Sequence, residues 1–208
     1  MGRPKEVTNE QIVAEARRCF LARGAGISAA DIARELGVSH TTLFNRFGSK
    51  EGLMVAALGP PKEIGWIAAL NSGPDARPVR EQLVEHARTM SAYFQDLQAG
   101  FGILIAAGID PVKAQCARTG CSAPEQAYQA LVGWLRRAQS QGRLAPCDLD
   151  TLASTLLGAL HGVALTSRVC GQSASVTANG SYVERFIEIL WNGIGDCTRT
   201  APTQRPAQ

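Results

Sequence analysis

Apolar residues recur at helical spacing along most of the chain. Ile12, Val13, Ala16, Cys19 and Phe20 follow a three-and-four rhythm that gives a helix one apolar face. Thr8 is placed to cap that helix, with Glu10 and Gln11 in its first turn, and Gly24 and Gly26 end it. Ser28 caps a second helix, with Asp31 three residues on, Ile32, Ala33 and Leu36 turned inward, and Gly37 closing it. A third short helix runs over 39–47 and directs Leu43 and Phe47 to the core. Ser49 caps a fourth, with Leu53, Ala56 and Ala57 inside, which stops before Gly59-Pro60-Pro61.

The rest of the chain reads the same way. Breaks at Gly73-Pro74, Gly100, Asp110-Pro111, Ala123-Pro124, 142–146 and 171–180 predict helices over 62–71, 78–99, 101–118, 124–141, 149–170 and 181–195. Period-two alternation is nearly absent, so the expected class is all-α. Three regions are expected: a unit of short helices over 1–52, a larger helical domain over 53–197, and a disordered tail over 198–208, rich in Thr and Pro.

Within the first region, a helix, a glycine turn and a second helix follow in the order of a helix-turn-helix. Gly37 suits the left-handed turn, and Val38 plugs the angle between the two helices. The second helix presents His40, Thr41, Thr42 and Asn45 outward, all short enough to reach base edges or phosphates, with Arg46 and Lys50 flanking. Lys50 also lies in the first turn of the next helix, where backbone amides favour phosphate. Charge agrees. The net charge is only +3, yet residues 1–50 carry eight Lys/Arg against five Asp/Glu, so the whole surplus lies there.

The stretch from Asp31 to Leu53 resembles the tetracycline-repressor (TetR) family of bacterial regulators. Ile32, Ala33, Gly37, Val38, Ser39, Thr42, Leu43, Phe44, Phe47, Ser49, Lys50, Glu51 and Leu53 fit that family's pattern. The upstream Ile12/Ala16/Phe20/Gly24 frame and the Gly2-Arg3-Pro4-Lys5 tail are similar to many members. Phe44 stands where the family often has Tyr, which removes a hydroxyl bond to phosphate but keeps the ring. The resemblance implies base-edge contacts from His40 and Thr41, then Asn45. It also implies phosphate contacts from Ser28, Thr42 and Lys50, backbone or minor-groove contacts from Arg3 and Lys5, and a place for Ser39 in the DNA-binding surface. Double-stranded operator DNA is the expected partner.

The resemblance further implies that the larger domain dimerises and encloses a small-molecule effector. Dimerisation has an independent reason, since one recognition helix reads too few base pairs. Two stripes are candidates for a homodimer interface: Ser154, Gly158 and Gly162, and Val183, Phe186, Ile187, Leu190, Trp191 and Ile194. Trp66, Met90, Phe94, Phe101, Ile105, Trp134 and His161 are the candidate pocket walls, and few inner-face charges accompany them. A largely apolar effector fits such walls. The helix 62–71, after Pro60-Pro61, is the expected lever between pocket and DNA.

Other classes are disfavoured. No apolar run approaches the roughly 20 residues that cross a bilayer, and no apolar segment follows the basic start, so a cytoplasmic location without membrane contact is expected. Six cysteines (Cys19, Cys116, Cys121, Cys147, Cys170, Cys197) show no C-x-x-C pair, against a metal site; no cofactor is expected. Most should be reduced, buried thiols. Cys116 and Cys121 leave open a redox-sensing regulator of the same fold. A small helical thiol or histidine enzyme is the alternative of another class. No nucleophile–base pair or phosphate loop supports it.

Overall fold

The computed structural model describes residues 7–61, 63–119, 122–169 and 181–193, and every described element is helical. In order they are α1 (Asn9–Arg23), α2 (Ala29–Leu36), α3 (His40–Phe47), α4 (Lys50–Leu58), α5 (Gly65–Asn71), α6 (Val79–Ala106), α7 (Pro111–Thr119), α8 (Ala123–Ser140), α9 (Leu149–Val169) and α10 (Tyr182–Asn192). The class is all-α, as expected.

Local chemistry sets the first four helices. The Thr8 hydroxyl accepts from the Gln11 amide at 3.2 Å while the Gln11 side chain accepts from the Thr8 amide at 2.9 Å, a complete capping box. Ser28, Ser39 and Ser49 each cap the helix that follows. Gly37 adopts φ 65° between α2 and α3, a conformation that costs glycine nothing. These caps stack α1 to α4 around Ile12, Phe20, Ile32, Leu43, Leu53 and Leu58, all with at most 2 % exposure.

That core extends through all of α4, from Leu53 to Leu58, so the expected boundary at 52/53 falls inside a helix. It also takes in Leu104 of α6, with Phe101, Ile103 and Ile109 packed beside it. A second core joins α5, α6, α8, α9 and α10 around Leu83, Met90, Leu131, Trp134, Leu156, Leu160 and Ile187.

One expectation about α6 is corrected. The sequence predicts a break at Gly100, but α6 runs unbroken for 28 residues and ends at Ala106. Gly100 is buried there, and a Cβ on it would stand 2.2 Å from the Leu58 carbonyl oxygen. The glycine serves close packing of α4 on α6. The break comes instead at Gly108, with φ 76°, ahead of Pro111. The helix expected as the lever, α5, packs on α8 and α6, while α4 and α1 pack on α6 and α4 also meets α7.

Arg17 ties these parts together. Its guanidinium donates to the Ala57 carbonyl at 2.8 Å and to the Asp96 carbonyl at 2.9 Å, and pairs with the Asp96 carboxylate at 2.6 Å. One side chain thus spans α1, the end of α4 and the middle of α6.

One further correction concerns apolar length. Residues Leu149–Arg168 of α9 are long and apolar enough to cross a membrane by length and composition. In the fold, Ala153, Leu156, Leu160 and Ala164 of that helix are buried, and α9 lies along α6.

Candidate nucleic-acid interface and effector cavity

The candidate recognition surface is the outer face of α3. The Ser39 hydroxyl accepts from the Thr42 amide at 3.1 Å and shares a 2.8 Å hydrogen bond with the Thr42 hydroxyl. Both hydroxyls are therefore engaged in starting the helix. His40, Thr41, Phe44 and Asn45 are exposed, and the His40 ring rests on Phe44 with centroids 4.4 Å apart. Among the described residues, Thr41 and Asn45 make no side-chain hydrogen bond, so their polar groups face outward unpaired.

The flanking cations are more committed than the sequence implies. Lys50 Nζ donates to the Ala25 carbonyl at 2.7 Å, pinning the start of α4 to the loop after α1. Arg46 donates to the Val7 carbonyl and, at 3.3 Å, to Asn9 Oδ1, which anchors the chain leading from the N-terminal tail against α3. Ser28 accepts from the Asp31 amide at 3.1 Å and donates to the Asp31 carboxylate at 2.6 Å. That hydroxyl holds the Asp31 carboxyl below its usual range. Arg3 and Lys5 lie outside the described residues.

Behind α3, Cys19 is fully buried between α1 and α2, with its sulfur 3.3 Å from a Glu35 oxygen. Burial first, and then the Glu15 charge, push its thiol up from the ordinary value, so it is an unreactive thiol. Arg18 and Arg23 neutralise Glu35 beside it, and Arg18 holds the Glu15 carboxyl below its usual range. Among the other cysteines, Cys147 is free but exposed, and Cys116 is disulfide-bonded. The expectation of mostly reduced, buried thiols thus fits Cys19 and fails for these two. Cys121, Cys170 and Cys197 fall outside the described residues.

The expected pocket walls divide into two groups. Trp66, Met90 and Trp134 are at most 5 % exposed and fill the second core. Apolar periodicity alone does not separate such core residues from ligand walls. Phe101, Ile105 and His161 instead line an open cavity of about 630 Å³ between α6, α7 and α9. Phe94 sits just behind, its ring 5.1 Å from His161. Gln98, Val112, Leu165 and Arg168 share this cavity and were not expected from the sequence. Placing a helix break at Gly100 hid that Gln98, Phe101 and Ile105 lie on one continuous helix.

The expected interface residues also divide. Ser154, Gly158 and Gly162 are exposed on α9, and Trp191 is 40 % exposed on α10. Phe186 and Leu190 are half-buried, and Ile187 is wholly buried in the protomer's own core, where α10 packs on α6, so it cannot meet a partner. Ile194 lies outside the described residues.

An exposed polar recognition helix, set by a left-handed glycine turn on a helical body, defines a helix-turn-helix DNA-binding regulator. The profile of bacterial regulatory proteins, tetR family, matches residues 12–57. The chain is 25% identical over 158 residues to the HTH-type transcriptional repressor BdcR of Escherichia coli (strain K12), covering 76% of this chain and 79% of that one. Its fold is shared with Salmonella enterica GusR (TM-score 0.58, 21% identity, 90% of this chain and 99% of that chain). It is shared also with the TetR-family regulator PfmR of Thermus thermophilus (TM-score 0.56, 18% identity, 89% and 100%). Residues 12–57 thus resemble the DNA-binding region of the tetR family, and the chain as a whole is similar to transcriptional regulators of that kind.

Proposed function

We propose that this chain is a homodimeric, cytoplasmic repressor that reads an operator through α3 and releases it when a small, largely apolar effector occupies the cavity between α6, α7 and α9. The observation that carries the reading is the outer face of α3, where Thr41 and Asn45 are exposed without partners among the described residues. Such groups suit hydrogen bonds to base edges. Ser28, Ser39, Thr42, Phe44, Arg46 and Lys50 surround that face and serve it by holding the helix and meeting phosphates.

Dimerisation through α9 and α10 is supported by glycines that the protomer does not need. A Cβ at Gly158 or Gly162 would meet nothing within 4 Å. Small residues with open space beside them suit the close approach of a second helix. Trp191 of α10, 40 % exposed, adds apolar area on the other helix of the expected interface.

The route from effector to DNA passes through α6, because Phe101 and Ile105 line the cavity while Leu104 between them packs in the DNA-binding core. Two recognition helices in successive major grooves must sit roughly 34–36 Å apart. An effector that favours another spacing is bound less well when operator is present. The test recovers genomic DNA bound by the protein, finds a ligand by thermal shift, and titrates it with and without that DNA. Weaker ligand binding in the presence of DNA is expected; equal binding contradicts effector release.

A second reading has one observation in its favour, the disulfide at Cys116 on α7. In a redox-sensing regulator, reductant would change operator affinity, and Cys116→Ser would abolish that change.

A further inference from the structure

We infer that the effector is an amphipathic carboxylate, its anion paired with Arg168 and its apolar body laid over Phe101, Ile105, Val112 and Leu165. This rests on the effector reading of the same cavity. The volume, about 630 Å³, falls within the roughly 300–1,000 Å³ usual for small-molecule sites.

Three of the most exposed large apolar side chains converge here from three helices: Ile105 of α6 at 53 %, Val112 of α7 at 62 % and Leu165 of α9 at 42 %. Isolated exposed apolar residues need no explanation, but a group lining one concavity points to an apolar occupant.

The charges of the cavity then choose its head group. Asp110 and Arg168 are the charged residues that line it. Asp110 Oδ1 accepts from the Val112 and Lys113 amides at 2.9 and 3.0 Å, so one carboxylate oxygen caps the start of α7 and its charge faces the positive end of that helix. Arg168 has no carboxylate within ion-pair distance among the described residues, unlike Arg17, Arg18, Arg23 and Arg77. Its guanidinium lies over Gly102, where a Cβ would come within 2.7 Å of Nη1. A glycine in α6 thus makes room for an unpaired cation at the cavity wall. At the inner end, buried Gln98 places Nε2 2.8 Å from His161 Nε2, a polar pair already satisfied and without a formal negative charge. A cationic ligand finds only Asp110, whose charge already faces the first-turn amides of α7, whereas a carboxylate finds a forked donor in Arg168.

Isothermal titration of the full chain, without DNA, compares decanoate, decanol and decylamine below their micellar concentrations. Decanoate is expected to bind roughly tenfold or more tightly than either of the others. Arg168→Gln should remove that advantage while leaving decanol binding unchanged, and Arg168→Lys should restore part of it. Melting curves of both variants should match the parent, since Arg168 is exposed. Decanol or decylamine binding as tightly as decanoate, no binding of decanoate, or an Arg168→Gln protein that binds decanoate at parental affinity would each overturn the carboxylate assignment. Operator binding by the same ligand-free preparations reports separately on the regulator reading, and loss of decanoate binding with intact operator binding rejects the ligand class alone.

Discussion

Leu58 and Gly100 meet backbone to backbone, close enough that a Cβ on Gly100 would lie 2.2 Å from the Leu58 carbonyl oxygen. The end of the last DNA-binding helix is therefore seated directly on the long helix that carries the cavity wall. Arg17 reinforces the seat by bonding the Ala57 and Asp96 carbonyls on either side of it.

Gly100→Ala should force α4 away from α6. Overpacking of this kind costs about 1–3 kcal/mol, and each kcal/mol lowers Tm by roughly 2–4 °C in a chain of this size. Arg17→Ala should act in the same direction, because it leaves two carbonyls without their donor. Asp96→Asn should matter less, since its side chain is 62% exposed and surface ion pairs contribute about 0–1 kcal/mol. Calorimetry of the three variants checks this; an unchanged Tm for Gly100→Ala would mean that α4 and α6 are not held in this contact.

The DNA-binding unit is legible in the sequence because its signals are local. Thr8, Ser28, Ser39 and Ser49 cap the helices they precede, and Gly37 turns where a left-handed residue is expected. Gly100 misleads because a glycine that breaks a helix and one that admits a neighbouring backbone look alike until the neighbour is known. For the same reason Trp134, Met90 and Ile187 pass as ligand or partner contacts, since an apolar stripe does not say what covers it. Lys50 looks free for phosphate, and its bond to Ala25, 25 residues earlier in the chain, has no sequence signal.

His86 supplies a pH test. Its ring meets Trp134 edge-on at 5.1 Å, and burial pushes its pKa below the ordinary imidazole value, outweighing the neighbouring Glu85 charge. The folded protein then binds this proton less readily than the unfolded chain, so stability rises with pH through the window below about 6.5 and is lost as pH falls through it. His86→Gln should flatten the stability profile between roughly pH 5 and 7. A mutant profile with the parent's slope there would show that His86 is not the group responsible.

Gly158→Leu with Gly162→Leu should yield monomers, because the new side chains project into the space left beside α9. The fold should survive, as neither position touches the protomer's own core. Sedimentation that still finds a dimer would move the interface to another face.

The central claim is that α3 reads sequence, and the most direct measurement is the ratio of cognate to random DNA affinity in a protein carrying His40→Ala and Thr41→Ala. Removing either base-reading side chain should cost about 1–3 kcal/mol on the cognate site alone, so the ratio should collapse toward one while binding to random DNA persists. Lys50→Ala serves as the control: its primary amine is already held by Ala25, so it should lower both affinities together and leave the ratio intact. A double variant that loses affinity for cognate and random DNA by the same factor would contradict the assignment of α3 as the reading helix.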